Sequence, residues 1–164
     1  MKRFYFVLVV IVTIISAVFY SCKKKDPCEG VTCPAGKVCS SGTCTCPFGY
    51  EGTTCDTLSA IKFVGNYQVN ENCQNPPGPG YNYTTNISYG FQDYEIIISN
   101  ILGSGLSIDA SVDGNSIFIR EQTVGGLRIV GEGFYQPITR QIQVNYEYNF
   151  SGSSRSCTAF FQRF

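Results

Sequence analysis

Nine cysteines occur in this 164-residue chain, and their distribution constrains its fold more than any other feature. Six crowd into one stretch: Cys28, Cys33, Cys39, Cys44, Cys46 and Cys55. Two stand far apart, Cys73 and Cys157, and the ninth, Cys22, directly follows an apolar N-terminal stretch. Residues 28–55 are too few to bury the apolar surface that would offset chain entropy, so bridges must hold that segment. Cys73 and Cys157 can form a fourth bridge, which leaves Cys22 over. A chain keeping this many bridges belongs outside the reducing cytoplasm.

Charged residues make up only 15% of the chain, while Gly (17), Phe (12) and Tyr (11) are plentiful. That composition favours strands and tight turns over helices. Basic and acidic residues balance at 12 each. Loss of Lys2 and Arg3 with residues 1–21 leaves the mature chain two charges acidic, with no basic stripe, so no nucleic-acid partner is expected. His is absent altogether, which removes the commonest general base and the commonest metal ligand. No cofactor or metal is expected.

Lys2 and Arg3 precede the apolar run Phe4 to Tyr20, which meets Ser21-Cys22 and then Lys23-Lys24-Lys25. A basic start, an apolar middle and a small residue before a cut site describe a secretory signal. The run is at the short limit of the roughly 17–25 residues a spanning helix needs. Its trailing lysines would also hold the cysteines on the cytoplasmic side, where disulfides do not persist. Phe19-Tyr20-Ser21-Cys22 resembles the lipobox of bacterial lipoproteins, with Tyr20 where a smaller residue is usual. The resemblance implies a signal peptide over 1–21 and fatty acylation, such as palmitate, at Cys22. Residues 22–27 would then form a lipidated tether on the extracytoplasmic side of a bacterial membrane, the outer one being expected.

From Cys28 the spacing reads Cys-x4-Cys-x5-Cys-x4-Cys-x-Cys-x8-Cys. Within Cys44-Thr45-Cys46-Pro47-Phe48-Gly49-Tyr50-Glu51-Gly52-Thr53-Thr54-Cys55 an aromatic and two glycines sit where an epidermal growth factor-like (EGF-like) module has them. Residues 28–55 are similar to that family. Six cysteines allow 15 pairings, and the resemblance implies Cys28–Cys39, Cys33–Cys44 and Cys46–Cys55. Cys-x-Cys spacing without Cys-x2-Cys pairs argues against zinc. Calcium-binding members carry an acidic cluster before the first cysteine, whereas here Lys24 and Lys25 precede a single Asp26. A rigid spacer or small contact module is the expected role.

Residues 56–61 form a short linker to a β-domain over 62–164. There Phe63, Gly65, Tyr67 and Val69 alternate with Asn66, Gln68 and Asn70. Ile142, Val144, Tyr146, Tyr148 and Phe150 alternate with Gln141, Gln143, Asn145, Glu147 and Asn149. A period of two marks half-buried antiparallel strands. Turn signals separate them at Gly103-Ser104-Gly105, Asp113-Gly114-Asn115, Gly125-Gly126 and Ser151-Gly152-Ser153. The chain is therefore mainly β, with about eight strands in an antiparallel up-and-down β-barrel or β-sandwich. A Cys73–Cys157 bridge would bring the two ends of that meander together. Gly65-Asn66-Tyr67 resembles the Gly-x-Trp start of lipocalin-like barrels, with Tyr for Trp.

Most carboxylates of the β-domain alternate onto the polar face as solvated charges, and Asp113 reads as a turn former. Glu132 and Glu147 would make a glycosidase-like pair only if the fold brought them together. Tyr83 and Tyr89 share the apolar face with Ile87 and read as core; the stiff loop Gln74 to Gly80 is a candidate contact. No residue is expected to be catalytic. The function expected is a lipid-anchored EGF-like protein with a non-catalytic binding or adhesion role toward a protein or glycan. A lipocalin-like carrier of a small apolar ligand and a structural envelope lipoprotein are the alternatives.

Overall fold

A computed structural model describes residues 25–74 and 80–164. The signal-like stretch with Cys22, and residues 75–79 of the proline-rich loop, lie outside the described residues. Over residues 28–58 the elements are small and the sulfurs do the holding. β1 (Val38–Ser40) pairs with β2 (Thr43–Thr45), and β3 (Tyr50–Glu51) with β4 (Thr57–Leu58). Disulfides join Cys28 to Cys39, Cys33 to Cys44 and Cys46 to Cys55, with Cα separations of 5.9, 5.5 and 5.2 Å. Most side chains here remain exposed, as expected of a segment too small for a core.

A 3-10 turn, Ser59–Lys62, leads into eight antiparallel strands. They are β5 (Gly65–Gln74), β6 (Tyr81–Tyr89), β7 (Glu95–Ile101), β8 (Leu106–Asp113), β9 (Ser116–Val124), β10 (Leu127–Gln136), β11 (Gln141–Phe150) and β12 (Ser153–Arg163). Each pairs with its sequence neighbours, and β12 returns to pair with β5, so the sheet closes into a barrel rather than a sandwich. Cys73 lies opposite Cys157 in that last pairing and is bonded to it, Cα to Cα 4.0 Å.

The alternation sorts side chains as a packed barrel requires. Along β5, Tyr67, Val69, Glu71 and Cys73 are buried while Asn66, Gln68, Asn70, Asn72 and Gln74 are exposed. The interior is dominated by isoleucine, with Ile87, Ile96, Ile98, Ile108, Ile117 and Ile129 all essentially inaccessible. A polar outside around an apolar inside is the reverse of a lipid-embedded barrel. Two bulges break the period. The β7·β8 register shifts between Ile98 and Ile101, and the β9·β10 register shifts where Arg120 and Glu121 of β9 face Val130 of β10. Beyond each bulge the inward set changes parity, so Ile101 and Val124 still point inward.

Consecutive hairpins alternate between the two ends of such a barrel. The end bearing the β6–β7 and β8–β9 connections is closed. Ala60 and Phe63 plug it, both fully buried, and Phe63 meets Tyr135 edge-on at 5.9 Å. The Tyr67 hydroxyl donates to the Phe63 carbonyl at 2.7 Å, and the Arg163 guanidinium lies 5.5 Å over the Tyr67 ring. Arg163 also donates to the Lys62 and Val64 carbonyls, tying the last strand to the plug.

The disulfide-rich segment docks on this same closed end. Phe48 packs edge-on against Tyr94 (5.3 Å), and the Gly49 amide donates to Asp113 Oδ1 (3.0 Å). Gly49 accepts from the Ser59 amide at 2.8 Å through its carbonyl, and the Tyr50 hydroxyl donates to Asp93 at 2.6 Å. Lys62 bridges Glu51 and Asn115. Gly49 has φ +85°, and a Cβ there would collide with the Cβ of Tyr94, so a glycine is required twice over. Asp113, read as a turn former, therefore also receives the docked segment.

Candidate functional site

Three inward positions near the opposite end break the apolar interior. Glu71 is fully buried. Its Oε2 accepts from the Tyr83 hydroxyl at 2.9 Å and from the Tyr146 hydroxyl, and Cys73 Sγ lies 3.2 Å from Oε1. The parity that buries Tyr67 and Val69 continues to Glu71, so the surface-charge expectation fails for this carboxylate. Tyr83 is part of the core periphery as expected, but Tyr89, at 51% exposed, is not core.

Burial raises the Glu71 carboxyl above its ordinary 4.5, and the two tyrosine hydrogen bonds pull it partly back. Both phenols are in turn held well above 10 by burial first; Glu71 next raises Tyr83, and Tyr83 and then Glu71 raise Tyr146. No buried side-chain nitrogen or oxygen among the described residues lacks a partner, so the network is satisfied. Glu71, Cys73 and Cys157 bring ligand atoms within 4.8 Å of one another. The two sulfurs are bonded to each other, however, and no thiolate remains to hold a cation.

A group whose folded pKa is raised stabilises the fold below its unfolded pKa, and that contribution is lost as pH rises through the folded value. Glu71→Gln is therefore expected to flatten the fall in unfolding free energy above pH 4.5 that urea titrations of the wild type should show. A Glu71→Gln variant that keeps the wild-type slope would assign the pH dependence elsewhere. Its amide oxygen, placed at the Oε2 position, can still accept from both tyrosines, whereas Glu71→Leu strands both hydroxyls at a cost of about 1–3 kcal/mol each.

Beside this network an apolar cleft of about 400 Å³ is lined by Leu102, Ser104, Leu106, Gly125, Leu127, Tyr148 and Phe150. It sits among the β7–β8, β9–β10 and β11–β12 turns, the end away from the docked disulfide-rich segment. Tight turns frame it: Gly125 and Gly126 have φ +56° and +82°, and Ser151 and Gly152 +51° and +82°. Tyr148 opposes Arg155 in the β11·β12 register, and Phe150 is half exposed. Below the cleft the barrel is packed by its own side chains.

A second depression lies outside the wall. Glu132 opposes Asn145 and Val130 opposes Glu147 across β10 and β11. Glu132 and Glu147 are thus diagonal neighbours on the outer face, about 7–8 Å apart by strand geometry. They share an open groove of about 530 Å³ over Gly131 with Asn72, Asn145, Ser156 and Thr158. The fold does bring this pair together, although nothing in the single strands announced it. Only the register of β10 against β11, set across Pro137 to Arg140, could have revealed it.

No family model matches the chain, and no curated protein matches it. One solved structure, a protein of unknown function from Bacteroides ovatus, is similar to 60% of this chain at 11% identity, with a TM-score of 0.42. The similarity covers 41% of that protein.

Proposed function

We propose that this chain is a lipid-anchored extracytoplasmic binding protein without catalytic activity, whose site is the apolar cleft at the far end of the barrel. The observation that carries the reading is polarity of construction. One end is plugged by Ala60 and Phe63 and occupied by the docked disulfide-rich segment, while the cleft opens at the other. A tether at the N-terminus would therefore present the cleft away from the membrane. Eight cysteines engaged in four bridges support an oxidising compartment. The absence of His supports the non-catalytic part.

A cleft of about 400 Å³ suits a compact apolar group. The packed interior beneath it favours surface capture over the enclosing carrier of a lipocalin-like barrel. Titration of the intact mature chain with the neutral apolar dye N-phenyl-1-naphthylamine should give a saturable fluorescence increase. Phe150→Ala should weaken it several-fold and Leu106→Arg abolish it. A flat titration, or a signal untouched by both variants, removes the cleft from the proposal. Intact mass measured on protein from its native host tests acylation at Cys22 separately.

A further inference from the structure

We propose that the outer groove over β10, β11, β12 and β5 is a binding site for a neutral oligosaccharide, independent of the apolar cleft. The groove of about 530 Å³ continues into a second of about 490 Å³, the two sharing Val130, Glu147 and Ser156. Together they form a track along the barrel wall, which suits a chain of sugar units better than a single small molecule.

The lining explains the ligand class. A sugar hydroxyl both donates and accepts, and it needs partners of both kinds. Glu132 and Glu147 supply acceptors only, Asn72 and Asn145 supply both, and Ser156 and Thr158 supply hydroxyls. Several of these are already oriented by one another. Thr158 donates to Asn145 at 2.9 Å, and Ser156 donates to Glu147 at 3.3 Å. Pre-set side chains lose less rotamer entropy on binding. Val130, 40% exposed in the middle of the track, offers an apolar surface for the C–H face of a ring. Phe134, 42% exposed, follows Glu132 on the same face of β10 and can stack on a sugar.

Charge selects among glycans. At one end Arg128 and Glu121 neutralise each other at 2.5 Å. Arg155 lines the second groove at that same end. The first groove holds no cation and is left to Glu132 and Glu147, which repel a uronate or sulfate and welcome a neutral hydroxyl. Hydrogen bonds from hydroxyls to carboxylates are the charge-assisted kind, roughly twice as strong as neutral ones.

Affinity electrophoresis of the intact mature chain tests this, with galactomannan, xyloglucan and amylopectin as neutral probes and polygalacturonate as the acidic one. At least one neutral polymer should retard the protein, and polygalacturonate should not. Glu147→Ala and Asn72→Arg should each weaken retardation at least tenfold with unchanged thermal unfolding, because both side chains are exposed. Phe150→Ala, in the apolar cleft, should leave it intact, which separates this site from that one. Failure of all three neutral polymers, retardation by polygalacturonate alone, or full retardation in both groove variants would overturn the proposal.

Discussion

Replacing Cys73 and Cys157 together by alanine should lower the unfolding free energy by about 4–5 kcal/mol, the entropic value for a loop of this length. The bond spans 84 residues of sequence, far more than the 9 to 11 of the other three. It also sits at the one barrel pairing that no hairpin enforces, β5 against β12. Every other pairing follows from a short connection, so its closure entropy is small. Against a total stability of roughly 5–15 kcal/mol the loss is severe. Urea unfolding of the double variant, with the other three bridges intact, reads it directly. A loss below about 1 kcal/mol would mean that the backbone ladder and the Arg163 contacts alone close the ring.

Gly133→Ala should cost about 3 kcal/mol, at the upper end for overpacking. Gly131 and Gly133 occupy inward positions of β10, where every other inward residue is large. A Cβ at Gly133 would meet the Gln143 carbonyl and stand 2.8 Å from the Val144 Cα. At Gly131 it would stand 2.5 Å from the Asn145 carbonyl oxygen and 2.8 Å from the Tyr146 Cα. These are backbone atoms of β11, which cannot swing aside as a side chain can. Gly152→Asn is the contrast: its Cβ enters open space, and Asn tolerates φ +82°, so the change should be about 1 kcal/mol or less. Equal effects at the two positions in thermal unfolding would show that β11 yields where the geometry says it cannot.

How much of this was legible follows from the range of each signal. Period-two alternation is a local property, and it located the eight strands and four of their turns. It misplaced the start of the first, because Phe63 alternates correctly but belongs to the plug, its backbone helical at φ −92°, ψ −28°. Bulges escape an alternation reading by construction, since Asn100 and the Arg120–Glu121 pair shift the inward set by one. The buried role of Glu71 was within reach, because Tyr67, Val69 and Cys73 share its parity. A charged residue between two apolar ones invites the end of a strand rather than the inside of a barrel. Its tyrosine partners come from β6 and β11, 12 and 75 residues away, and no local pattern couples them. The same holds for the seat of Phe48 and Gly49 on Tyr94 and Asp113, and for the Glu132–Glu147 groove. Each depends on register between elements rather than on the run of residues within one.

The closed ring has a consequence for behaviour at high protein concentration. Every barrel strand pairs on both sides, although the β6·β7 and β8·β9 ladders run over three residue pairs each, so the wall offers no whole strand edge on which a second chain could template. Should the β5–β12 seam part under a reductant, two long strands would each bare such an edge at once. The Cys73–Cys157 bond thus guards against self-association and fibre growth as well as against unfolding.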